Sequence, residues 1–127
     1  MFDAKFEVLR DGAVGRVRLT NPDRHNAFDD TLIADLTGAF EDLGNDADLR
    51  AVVLESEGKS FSAGADLSWM KRVASYSVEE NVADAMGLAR MLRTLNFMPQ
   101  PTVAKVQGAA FGGGVGLVSC CDIAIGS

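Results

Sequence analysis

Two short runs, Ala51-Val52-Val53-Leu54 and Thr102-Val103-Ala104-Lys105-Val106, are each followed by a glycine-bearing segment and then by a helical pattern. Ala51-Val52-Val53-Leu54, continuously apolar, reads as a strand buried on both faces of a parallel sheet, and Thr102–Val106 as another strand. Parallel strands need crossovers, which are usually helices and right-handed. The chain is therefore confined to an α/β architecture. The segments after the strands are Ser60-Phe61-Ser62-Ala63-Gly64-Ala65-Asp66 and Gly108-Ala109-Ala110-Phe111-Gly112-Gly113-Gly114-Val115-Gly116. Strand, glycine, helix is a layout that presents unpaired main-chain N–H groups and a positive helix end to an anion or a polarised carbonyl. A glycine-eased turn with close helix–strand packing is the plain alternative for either segment alone.

The remaining pattern supports the same class. Phe6–Arg10 and Val14–Leu19 read as strands around the turn at Asp11-Gly12, with Val17 and Leu19 on one face and Arg16 and Arg18 on the other. Asp29 or Asp30 can cap a helix whose apolar face is Leu32, Ile33, Leu36, Phe40 and Leu43. A short helix is predicted from Leu67, and a longer one over Val78–Asn96 with Val82, Ala85, Ala89, Leu92 and Leu95 along one side, ended by Pro99 and Pro101. The triple glycine opens a helix to about Cys121, and Asp122-Ile123-Ala124-Ile125 reads as a final strand with no helix after it to cover it. No linker or repeat divides the chain. The expectation is one partial domain over residues 1–127.

Charge narrows the partners. Eighteen acids against twelve bases give a net charge of −6, and no basic run exceeds Lys71-Arg72, so neither nucleic acid nor an anionic membrane is expected. The longest uncharged run, Val106–Cys121, is too short and too rich in glycine to span a bilayer. Met1-Phe2-Asp3-Ala4-Lys5-Phe6-Glu7 lacks the apolar stretch of a secretion signal. The two cysteines, Cys120 and Cys121, are sequence neighbours that can pair only through a strained ring, so reduced thiols and a cytoplasmic setting are expected. His25 is the single histidine, so no metal site is expected.

Nucleotide-binding patterns fail. Leu117 stands where G-x-G-x-x-G requires glycine, and no G-K-[ST] follows. No serine occupies G-x-S-x-G, and His25 is remote in sequence from any candidate serine, which disfavours a Ser-His hydrolase. Two amide-donating segments without a local nucleophile suggest stabilisation of a carbonyl, with acid or base supplied elsewhere.

Phe61-Ser62-Ala63-Gly64-Ala65-Asp66-Leu67, Val106–Gly114 and Cys121-Asp122-Ile123-Ala124 resemble the two signature blocks of the crotonase (enoyl-CoA hydratase/isomerase) superfamily, and Arg24-His25-Asn26-Ala27-Phe28 resembles an earlier one. The resemblance runs over nearly the whole chain and implies the N-terminal portion of a crotonase-like spiral of ββα units, assembled as homotrimers or hexamers. It assigns the thioester-holding amides to Ala63 and Gly113. It places Arg24, Ala27, Ala65, Asp66 and Leu67 along the coenzyme A portion of an acyl-CoA substrate, and counts Ala63, Phe111, Gly112, Gly113 and Gly116 among the substrate-binding residues. Coenzyme A is then part of the substrate, and no separate cofactor is implied. Asp66 is expected to position rather than to transfer protons, and His25 to be a loop residue near the nucleotide.

The chain departs from the two-glutamate hydratases at Gly116, where the first catalytic glutamate would stand; the second would lie beyond Ser127. The surrounding run looks most like bacterial methylglutaconyl-CoA and carboxygeranoyl-CoA hydratases. The expected reaction is hydration of a branched or carboxylated 2-enoyl-CoA, 3-methylglutaconyl-CoA-like and tied to leucine breakdown. Isomerisation of a 3-enoyl-CoA or silent acyl-CoA binding are the alternatives. A glycine at 116 would leave room beside the amides and remove a charge that repels a substrate carboxylate; close helix packing is its other explanation. Trp69, Met70, Met86 and Met91 are expected in the core or the acyl-pocket wall, and Asp122 in local backbone hydrogen bonds.

Overall fold

The computed structural model describes residues 5–127, so the signal-peptide expectation at Met1–Ala4 lies outside the described residues. Strands β1 (Phe6–Asp11) and β2 (Val14–Leu19) form an antiparallel hairpin whose turn uses Gly12 at a φ of +60°. A single 3-10 turn, Pro22–Arg24, leads to α1 (Asp30–Gly44). Then come β3 (Ala51–Ser56), β4 (Ser60–Ala63), α2 (Leu67–Val73) and α3 (Val78–Asn96). The described chain finishes with β5 (Thr102–Val106), β6 (Ala109–Phe111), α4 (Gly113–Cys120) and β7 (Ile123–Gly126).

The strands make a five-stranded sheet, order β1-β2-β3-β5-β7, and a separate two-stranded sheet, β4-β6. From β2 onward the large sheet is parallel, and so is the β4–β6 pair. The pattern strand, short strand, helix therefore occurs twice, once from β3 and once from β5. Sequence inspection merged β4 and β6 into glycine loops, because strands of four and three residues show no alternation to detect.

Val17 and Leu19 of β2 are fully buried in one cluster with Leu32, Ile33, Leu36 and Phe40 of α1. Each such side chain contributes roughly 1.5–3 kcal/mol. Asp29 is the cap of α1, its carboxylate accepting the Leu32 N–H at 2.7 Å. The opposite face of β3 corrects the expectation of a strand buried on both sides. Val53 is only half-buried, and Glu55 lies where Arg18 of β2 reaches across at 2.9 Å, with Arg18 also 3.0 Å from Glu7. The hairpin arginines dictate this, because register sets Arg18 directly beside Glu55.

Helix α3 starts with a capping box, Ser77 and Glu80 exchanging bonds of 3.1 Å. Its buried stripe is rotated from the expected one. Met91 and Leu95 are buried and Leu88 and Leu92 packed against the core, whereas Val82, Ala85 and Ala89 are exposed. Only the C-terminal half of α3 lies on the core, so Met86 is exposed as well, as is Met70 on α2. Asp122 bonds at longer range than expected. Its carboxylate accepts the Thr102 N–H at 2.9 Å and its own N–H donates to Thr102 Oγ1 at 2.9 Å, clamping the starts of β5 and β7.

The two strand–strand corners stack directly. Gln107 Nε2 donates to the Ser56 and Gly58 carbonyls at 3.1 and 2.9 Å. Gly108, at a φ of +69°, lies so close that a β-carbon there would overlap the Lys59 carbonyl oxygen. Gly108→Ala is therefore expected to destabilise the full-length protein by about 3 kcal/mol or more. Urea unfolding measures this, and a loss below about 1 kcal/mol would contradict the stacked corner.

Candidate active site

The site is built outward from one strained turn. His25 and Asn26 are consecutive non-glycine residues at φ of +54° and +53°, a conformation that costs each of them on the order of 1–2 kcal/mol. The buried Asn26 side chain offsets that cost. Its Oδ1 accepts the Asn21 N–H at 2.8 Å, and its Nδ2 donates to the carbonyls of Glu57, Ser60 and Phe61 at 2.9, 3.1 and 3.2 Å. In return Ser62 Oγ donates to the Asn26 carbonyl at 2.8 Å. The loop after β2 is thereby fastened along β4. The motif Arg24-His25-Asn26-Ala27-Phe28 contains Asn26 but does not by itself reveal this role. The available signal was its type: asparagine is the residue, after glycine, that best tolerates the left-handed region.

Pairing of β4 with β6 sets Ala63 beside Phe111. Gly64, at a φ of +79°, donates its N–H to the Phe111 carbonyl at 3.3 Å, and a β-carbon on Gly112 would stand 3.6 Å from Gly64 Cα. The two glycine segments are therefore in contact. Glycine is obligatory beneath them: a β-carbon at Gly113 would overlap the Phe28 ring, and one at Gly114 the Ser62 carbonyl oxygen. Phe28 also fixes Ala65. Its N–H donates to the Gly64 carbonyl at 3.1 Å and its carbonyl accepts the Asp66 N–H at 2.6 Å. With both neighbours of Ala65 bonded to Phe28, strand alternation turns the Ala65 N–H away from Phe28, toward the β6 side. Gly113 opens α4, where first-turn amides have no intrahelical partner. Among the described residues, no hydrogen bond takes the N–H of Ala65 or of Gly113.

This geometry corrects the expected assignment of Ala63. Its N–H is already given to the His25 carbonyl at 2.9 Å, so it is not free to meet a ligand. The donor two residues on, Ala65, takes its place beside Gly113. Gly116 is also different from expectation. A β-carbon there would sit 3.2 and 3.3 Å from the Leu92 methyls, so α3 fills the room that a small residue was expected to leave open. His25 corrects a third expectation. Its Nδ1 lies 3.2 Å from Ser60 Oγ, because the left-handed turn folds a residue remote in sequence onto β4. Both groups sit at the start of β4, at the opposite end from Ala63 and the free amides.

Asp66 ends the first segment as the cap of α2, accepting the N–H of Ser68 and Trp69 at 2.9 and 3.2 Å, with Arg24 at 3.3 Å. Burial pushes its carboxyl up, but the two backbone N–H bonds and the charges of Arg24 and Lys5 outweigh it, and the net displacement is downward. A carboxylate held ionised in this way is a positioning group. Arg24, Leu67, Phe111 and Gly112 are exposed around the amides, whereas Ala27 is buried, its N–H spent on the Arg24 carbonyl at 3.0 Å. Beside Ala65 an apolar cleft of about 400 Å³ opens between α2 and α3. Trp69 lines this cleft, and its buried Nε1–H has no partner among the described residues. Both cysteines are free, and burial pushes Cys121 up to about 11. Among the described residues no group of acids, histidines or cysteines could hold a metal ion, and no helix is long and apolar enough to cross a membrane.

Comparison with known proteins agrees with this layout. Residues 10–127 match the family model described as enoyl-CoA hydratase/isomerase. The crystal structure of an enoyl-CoA hydratase from Shewanella pealeana superposes with a TM-score of 0.94 at 41% identity, covering 97% of this chain and 46% of that one. An enoyl-CoA hydratase of Alternaria alternata is 33% identical over 120 residues, 94% of this chain and 38% of its own length. The mitochondrial Delta(3,5)-Delta(2,4)-dienoyl-CoA isomerase of Mus musculus is 36% identical over 118 residues, 84% of this chain and 35% of its own length. The chain spans less than half the length of each of these relatives.

Two outcomes follow from the scaffold. Asn26→Asp keeps the shape but turns an anionic oxygen toward three carbonyls, so it is expected to lower stability by about 3 kcal/mol or more at neutral pH in denaturant titrations. An unchanged midpoint would contradict the Asn26 network. Asp66 has its folded pKa lowered, so the stability it adds is complete above the ordinary aspartate value of about 3.9 and is lost as pH falls through the folded value. Asp66→Asn keeps a cap but cannot titrate; its stability is therefore expected to fall less steeply below about pH 4 than that of the parent protein.

Proposed function

The chain belongs to the enoyl-CoA hydratase/isomerase (crotonase) family, and from the free amides of Ala65 and Gly113 we propose that the protein holds the thioester oxygen of a 2-enoyl-CoA between them and adds water across the double bond. When a water oxygen bonds to C3, the π electrons of the double bond move toward the thioester and place enolate charge on its oxygen. Two fixed N–H donors stabilise that charge more than they stabilise the neutral carbonyl. The enolate then collapses as C2 takes a proton, and the water's second proton remains as the product hydroxyl. No side chain is needed to hold the oxygen, and the glycines beneath the site let the thioester reach the main chain.

The observation that carries this proposal is that both amides lack a partner among the described residues, while the N–H groups on either side of Ala65 are engaged by the carbonyls of Phe111 and Phe28. The proton-transferring carboxylate is a separate requirement. Asp66 is occupied as a helix cap, and Gly116 offers no carboxylate one turn into α4. The same fact favours a second reading, double-bond isomerisation. One carboxylate then moves a proton from C2 to C4 of a 3-enoyl-CoA while the same amides hold the dienolate oxygen. The narrower assignment to 3-methylglutaconyl-CoA leaned on open space at Gly116, which Leu92 occupies, and it is not part of the proposal.

Replacement of single backbone amides by esters in the full-length protein tests the site without adding an atom. Esters at Ala65 and at Gly113 are each expected to lower kcat on crotonyl-CoA by roughly 10²–10³-fold, the usual effect of removing one such donor. The ester at Ala63 is expected to reduce stability, with kcat changed less than tenfold. Full activity with esters at both Ala65 and Gly113 would overturn the proposal. Conversion of a 3-enoyl-CoA without water addition to any 2-enoyl-CoA would decide for isomerisation.

A further inference from the structure

The cleft beside Ala65 has a chemistry that bears on which acyl group lies in it. From α2 it is lined by Trp69, Met70 and Val73, and from α3 by Ala85 and Leu88, so its walls are mostly hydrocarbon. Its polar members, Asn81 and Asp84, are both on α3 and three residues apart, hence neighbours on one face of that helix. Among the described residues, Asp84 is the only ionisable group lining the cleft.

Among the described residues no cation lines the cleft, although Asp84 also borders the groove between α1 and α3 that Arg90 lines. Lys71 and Arg72, the basic residues of α2, are not among the lining residues. The Arg72 guanidinium faces α1, where Nη1 and Nη2 hold the two carboxylate oxygens of Asp30 at 2.9 and 3.0 Å. That bidentate pair fixes the planar fork away from the cleft. Glu79 and Glu80 add further negative charge to the first turn of α3. Among the described residues Asp84 itself has no ion-pair partner.

On the basis of the acyl-CoA reading of the amide pair, we infer that the acyl group is an uncharged aliphatic chain lying between α2 and α3, and that Asp84 rejects acyl groups ending in a carboxylate. A hydrocarbon chain exchanges water for the apolar walls and leaves Asp84 solvated at the cleft margin. A terminal carboxylate would lose water beside a like charge in a cleft that no cation of the described residues lines, and the repulsion is stronger there than in bulk solvent. This is the opposite of the carboxylated substrate expected from Gly116 and from the resemblance of the run around it.

Calorimetric titration of the full-length protein with acetyl-CoA, hexanoyl-CoA and glutaryl-CoA tests the inference. None of these thioesters has a double bond, so binding is read apart from turnover. Hexanoyl-CoA is expected to bind at least tenfold more tightly than glutaryl-CoA, and Asp84→Lys to shrink that ratio about tenfold or more. Ala85 is exposed on α3 and can accept a large side chain without disturbing the core, so Ala85→Trp is expected to reduce the advantage of hexanoyl-CoA over acetyl-CoA. Glutaryl-CoA binding as tightly as hexanoyl-CoA, or a ratio unmoved by Asp84→Lys in a variant with normal thermal unfolding, would overturn the inference. A protein that shows the expected preferences but hydrates no 2-enoyl-CoA would keep the inference and sink hydration. One that binds none of the three would sink both.

Discussion

Everything at the site depends on a buried asparagine amide that holds two residues in a backbone region they would otherwise leave. The Asn26 bonds to Glu57, Ser60 and Phe61, with Ser62 bonding back to its carbonyl, hold the turn that sets the His25 carbonyl over the Ala63 N–H and Phe28 against Gly64 and Asp66. A neutral amide suits the task because it donates and accepts at once, and β4 presents carbonyls while the turn presents an N–H. The network is buried and fully paired on the Asn26 side, the condition under which polar groups in a core add rigidity. Side-chain chemistry thus sets the position of a site whose working parts are main-chain atoms.

The large-scale architecture was legible from the sequence for physical reasons that can be named. Alternation in the hairpin, the helical spacing of α1 and the continuous apolar run of β3 each give a readable pattern, and Asp29 marks where α1 begins; the caps of α2 and α3 at Asp66 and Ser77 emerged only with the structure. The two strands that carry the site were not legible. β4 and β6 are shorter than any period, and their pairing is long-range. The exposed half of α3 misled for a related reason: Val82, Ala85 and Ala89 have the right spacing for a core face, but nothing among the described residues lies over them.

The displacement from Ala63 to Ala65 shows what a motif can and cannot transmit. Phe61-Ser62-Ala63-Gly64-Ala65-Asp66 locates the segment, yet which amide is free depends on carbonyls supplied by His25 and Phe28, almost forty residues earlier. Residue type gives no clue, since both candidates are alanine. Only the strand bonds on either side of Gly64 distinguish them. Gly116 is similar in kind, because whether a glycine means space or contact is decided by Leu92 on another helix.

A donor that belongs to the peptide bond is inherited with the path of the chain and not with any codon. Every residue except proline carries that N–H, so substitution at Ala65 changes what surrounds the oxygen while the donor itself persists. On the proposed reading, drift can remake the walls, α2 and α3 included, while the two charge-stabilising amides stay as they were. Such a scaffold lets the choice of acyl group and the choice of proton carrier change independently. It also hides from comparisons of side chains at Ala65, where the residue can vary in identity while the N–H remains.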